Sequence, residues 1–97
     1  MPRFLVERRL RDTGARLRKL RDELRVLEEQ HDQLADEADD SRLRSLVSET
    51  PLADREFRET KRHADAFARR KAELLSSIAA LERRQDELLD EMSAGRD

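Results

Sequence analysis

The chain has 97 residues, room for one domain, and 45% of them are charged while only 3% are aromatic. With no Cys it can hold no disulfide framework and no thiolate nucleophile. Its formal net charge of −2 hides an internal polarity: residues 1–25 carry nine basic and four acidic groups, residues 26–59 carry four basic and eleven acidic, and the remainder is balanced.

Composition of this kind fits either a disordered segment or a long helical protein. Periodicity separates the two. From Val6, positions at alternating steps of four and three read Val6, Leu10, Thr13, Leu17, Leu20, Leu24, Leu27, His31, Leu34 and Ala38. Almost everything between them is polar. This is a coiled-coil seam, with Leu10, Leu17, Leu24, His31 and Ala38 at heptad position a and the others at d. It predicts a first helix over about residues 4–47. Gly14 lies inside it and costs about 1 kcal/mol relative to Ala, which predicts a kink or fraying there.

The phase breaks after Ala38, where Leu43, Leu46 and Val47 leave the stripe. Ser48-Glu49-Thr50-Pro51 follows. Thr50 suits a helix N-cap and Pro51 the first helical position, so the turn is expected near residues 48–50. Leu43, Leu46, Val47 and Leu52 are expected to close the tip as an apolar plug.

A second helix is predicted over about residues 51–93. Its seam reads Phe57, Thr60, Ala64, Phe67, Lys71, Leu74, Ile78, Leu81, Gln85, Leu88 and Met92. Ser93-Ala94-Gly95-Arg96-Asp97 reads as a frayed end with Gly95 as a C-cap. The N-terminal Phe4, Leu5 and Val6 are expected to pack near Leu88, Leu89 and Met92. The fold class is all-α: a single antiparallel two-helix coiled-coil hairpin, with dimerisation into a four-helix bundle expected.

A turn near residue 49 makes facing residue numbers add to about 98. That register pairs Leu20 with Ile78, Leu24 with Leu74, and the polar Thr13 with Gln85. It sets Lys71 against Leu27, its stem apolar and its ammonium reaching Glu28. Arg21–Glu82, Glu23–Arg70 and Arg9–Glu91 fall at facing edges, and Arg16 meets Arg84 unfavourably.

No glycine-rich phosphate loop and no nucleophile–base spacing occurs, so a non-catalytic protein is expected. The two histidines, His31 in the seam beside Phe67 and His63 near Glu37, do not make up the three or four ligands zinc requires. Neither a metal nor a cofactor is expected. No apolar run reaches the roughly 18–20 residues that cross a bilayer, and the N-terminus shows no signal-peptide run. A cytoplasmic protein without a membrane role is expected. The Arg, Ala, Asp and Leu bias resembles a high-GC bacterial genome.

Three surfaces are candidates for binding. Asp36, Glu37, Asp39, Asp40, Glu49, Asp54, Glu56 and Glu59 surround the turn as an acidic tip. Arg8, Arg9, Arg11, Arg16, Arg18 and Lys19 form a basic N-terminal face, with no aromatic interleaved for base stacking. Ala68, Leu75 and Leu89 widen the apolar arc of the second helix and offer a flank for a homodimer. The expected role is a coiled-coil adaptor or scaffold acting through protein–protein contacts. The alternative is a regulator of a nucleic-acid machine that uses the acidic tip or the basic face. In architecture the hairpin resembles transcription factors that enter the RNA polymerase secondary channel with a carboxylate-tipped coiled coil. The specific tip motifs of those factors are not found here.

Overall fold

The computed structural model describes residues 1–95. Two helices account for almost all of them: α1, Arg3–Ser48, and α2, Pro51–Ala94. There is no strand among the described residues. The chain is an all-α helical hairpin, its arms packing against one another in two compact units. One unit joins Met1–Leu24 to the segment that begins at Leu74; the other is Arg25–Glu73.

The helix ends follow local chemistry. At the start of α1 the Pro2 carbonyl accepts from the N–H groups of Leu5 and Val6, at 3.1 and 3.2 Å. At its end Glu49 adopts a left-handed φ of 49°, and its N–H donates to the Ser45 carbonyl at 3.0 Å. This is the left-handed C-terminal cap that stops a helix, here on a residue other than glycine. Thr50 starts α2: its Oγ1 accepts from the Ala53 N–H at 3.2 Å, and Pro51 fills the first helical position without losing a needed donor. The link between helices is therefore two residues, Glu49 and Thr50, at the place expected from sequence. Gly14 does not interrupt α1, which is continuous across it. Gly95 has no positive φ and so is not a left-handed cap; its N–H donates to the Glu91 carbonyl at 3.1 Å, in helical fashion. Arg96 and Asp97, the rest of the expected frayed end, lie outside the described residues.

In the first unit the seam is a close-packed apolar core. Val6, Leu17, Leu74, Ile78 and Leu88 are buried, with Leu10, Leu20, Leu24, Leu81 and Met92 half-buried beside them. Thr13 and Gln85 are half-buried too, and no buried side-chain polar atom among the described residues lacks a partner. Of the N-terminal anchor only Val6 is buried. Phe4 and Leu89 are exposed, because neither stands at a seam position. The ion pair Arg21–Glu82, 3.6 Å, bridges the edge expected from the register. Arg84 pairs with Glu87, at 3.1 Å, three residues along its own helix.

In the second unit the seam continues through Leu27, His31, Leu34 and Ala38 on α1, against Phe57, Thr60, Ala64, Phe67 and Lys71 on α2, all half-buried. Lys71 reaches Glu28 at 3.8 Å, as the register requires. The Thr60 hydroxyl donates back to the carbonyls of Glu56 and Phe57, each at 3.0 Å, satisfying itself within its own helix. A slip of one heptad moves facing residues by about 10 Å, at 1.5 Å per residue, and the Arg21–Glu82 and Lys71–Glu28 pairs would not survive it.

The apolar tip plug is not formed. Leu43, Leu46, Val47 and Leu52 are all exposed, Val47 by 85%. Nor does the heptad phase break after Ala38: it runs on through Ser41 and Ser45, which the register sets opposite Phe57 and Ala53 in turn, and all four are buried or half-buried. Ser41 is 1% exposed and Ala53 is buried. The physical reason is helical phase. A helix without interruption keeps presenting the same face, and that face carries small side chains here. A link of only two residues draws the helix ends together, and serine and alanine fit that approach where leucine would hold the helices apart. Ser45 also donates from its hydroxyl to the Asp54 carboxylate across the turn.

Candidate interaction surfaces

The acidic residues expected at the tip are all exposed, but heptad position distributes them. On α1, Asp36, Asp39 and Asp40 point away from the seam while Glu37 borders it. On α2, Asp54 is held by Ser45 and lies in the first helical turn, where a carboxylate suits the positive end of the helix dipole. Glu56 borders the seam and Glu59 faces outward. Only Glu49 is at the apex itself. Arg42, Arg44, Arg55 and Arg58 are interspersed, and the Arg44 guanidinium donates to Ser41 at 3.4 Å. Among the described residues no three acidic or histidine side chains converge as a metal site.

The sequence reading missed what does crown the tip. Leu46, Val47 and Leu52 flank Glu49, so the apex is apolar with carboxylates on its shoulders. The signal was present: the first two stand outside the heptad series, and an off-phase leucine on a continuous helix faces water.

The basic residues also divide. Arg8, Arg11, Arg18 and Lys19 are on the outer side of α1, whereas Arg9 and Arg16 are at position g, next to α2. All six are exposed. On α2, Leu75 and Leu89 are each 47% exposed at position e in the first unit. Between them on that edge stands Glu82, which is paired with Arg21. Ala68, in the second unit, is exposed at the same heptad position and borders an open hollow of about 310 Å³ lined also by His31, Ala35, Ala38, Phe57 and Ala64. His63 is exposed on the opposite side of α2, beside Glu59 and Arg62.

The fold and these surfaces define a helical hairpin whose seam is satisfied internally and whose outer faces carry both apolar side chains and segregated charge. Comparison with protein-family models, with curated proteins and with solved structures found no match to this chain.

Proposed function

We propose that this protein is a non-catalytic coiled-coil adaptor that acts in the cytoplasm through protein–protein contacts and does so as a homodimer. The observation that carries the reading is the amount of large apolar side chain left in water. Met1, Phe4, Val26, Leu43, Leu46 and Val47 on α1 and its approach, and Leu52, Leu75 and Leu89 on α2, are all exposed. Scattered surface leucines are ordinary, but grouped ones such as the apex trio are a recurrent property of association sites. A second support is that no helix among the described residues is long and apolar enough to cross a membrane, so these side chains are not membrane anchors of that kind.

The test is capture by immobilised protein in extracts of its host, comparing the natural chain with two variants, Leu46→Ser/Val47→Ser and Leu75→Glu/Leu89→Glu. An adaptor loses a defined partner in one variant and keeps its helical content in both. Identical capture by all three would remove these surfaces from the account. Retention of duplex nucleic acid instead, weakening steeply with salt, would favour the reading as a regulator of a nucleic-acid machine.

A further inference from the structure

Heptad geometry leaves a third face on α1, at positions b and f, turned away from α2. In the first unit it carries Phe4, Arg8, Arg11, Ala15, Arg18 and Asp22, all exposed. In the second unit it carries Arg25, Glu29, Asp32, Asp36, Asp39 and Leu43, also all exposed. The charged members of the first set are basic except Asp22, and those of the second are acidic except Arg25. Each set advances by alternating steps of four and three residues.

Read in opposite directions, the two sets are complementary. Phe4 corresponds to Leu43, Arg8 to Asp39, Arg11 to Asp36, Ala15 to Asp32, Arg18 to Glu29, and Asp22 to Arg25. One pair is apolar with apolar, four join opposite charges, and only Ala15–Asp32 is neutral to the scheme. The b–f spacing is the same four–three rhythm by which a and d positions interlock between antiparallel helices.

Within one chain this layout is unfavourable. Glu29 and Asp32, Asp32 and Asp36, and Asp36 and Asp39 are like charges three or four apart, an arrangement that destabilises a helix. Among the described residues no ion pair engages these four carboxylates, nor Arg8, Arg11 or Arg18. The polarity also runs against the helix dipole: α1 has no acidic residue in its first turn and no basic residue in its last. A surface of matching, opposite pattern would relieve all of this.

We infer that a second copy of this chain is that surface: two α1 helices associate antiparallel along their b and f positions, the first unit of each copy on the second unit of the other. The inference rests on the homodimer reading above and names its contact. If residue i meets residue j, then j meets i, so the contact is isologous and closes at two copies. The charges steer encounter and set the register, with Phe4 and Leu43 as apolar ends. The α2 flank suits this role less well, since the Arg21–Glu82 pair stands between Leu75 and Leu89. A nucleic acid drawn to the basic half would meet four unpaired carboxylates farther along the same helix face.

The experiment is light scattering at low ionic strength on the full chain and two charge-reversed variants, Arg11→Asp/Arg18→Asp and Glu29→Arg/Asp36→Arg. The natural chain is expected at twice its 11.4 kDa mass, falling towards the monomer as salt is added. Each variant alone sets like charges against each other and is expected to be a monomer, with circular dichroism showing that it keeps its helices. Mixed in equal amounts, the two variants restore every opposite-charge pair, and the dimer mass returns. A natural chain that stays monomeric at high micromolar concentration overturns both the inference and the homodimer reading. A dimer that persists in both variants, but is lost in Leu75→Glu/Leu89→Glu, overturns the α1 contact and leaves the homodimer standing. Monomeric variants that do not recombine also overturn it.

Discussion

Gly14→Ala is expected to stabilise the protein by about 1 kcal/mol, the amount by which alanine exceeds glycine inside a helix. Three features allow the full gain to appear. Gly14 lies within continuous α-helix and has no positive φ, so an L side chain meets no backbone penalty. A Cβ built there would lie 3.7 Å from Arg18 Nη1, an ordinary contact with the end of a flexible side chain. No other neighbour outside its own helix backbone comes within van der Waals range. Most of the gain comes from the unfolded chain, which loses freedom when glycine is replaced. For a domain of this size, 1 kcal/mol corresponds to a rise in Tm of roughly 4–8 °C. The assay is thermal melting followed by helical circular dichroism, at one fixed protein concentration because self-association shifts Tm. A urea titration alongside should raise the midpoint without altering the slope. A lowered Tm would refute the reasoning and show that α1 needs a bend at residue 14 that the continuous helix does not contain.

Leu17, which is 1% exposed, is expected to cost about 2–5 kcal/mol when replaced by alanine, whereas Leu46→Ala at the exposed tip should change stability by less than about 0.5 kcal/mol, both read from urea midpoints. Thr50→Ala removes the acceptor for the Ala53 N–H and is expected to cost about 0.5–2 kcal/mol in the same titration. Cysteines introduced at Leu20 and Ile78 should form a disulfide faster than cysteines at Leu20 and Gln85, in a chain that has no cysteine of its own; the opposite order would put the register one heptad away. Hydrogen exchange should be slowest around Leu17, Leu74, Ile78 and Leu88 and faster within Arg25–Glu73, where the buried side chains are only Ser41 and Ala53. Uniform protection along both helices would contradict that difference in packing.

Much of this architecture can be read directly from residue order. The four–three rhythm of Leu10, Leu17 and Leu24 specifies a helix and the stripe it buries, because a helix repeats its face about every seven residues whatever surrounds it. Thr50-Pro51 sets the restart of the chain through local chemistry alone, a hydroxyl cap and a ring with no N–H to lose. Those two facts also determine the register, and with it the Lys71–Glu28 and Arg21–Glu82 pairs. Tertiary structure decided the rest at the tip. Sequence reasoning followed hydrophobicity there and enclosed Leu43, Leu46, Val47 and Leu52, while the helices enclosed Ser41 and Ala53. The difference has one cause. Hydrophobicity expresses what each side chain would gain by burial, but a two-residue link and an unbroken helical phase dictate which side chains can reach the seam. Where the helices must draw close, small residues take the seam positions and the leucines remain outside, available to another molecule.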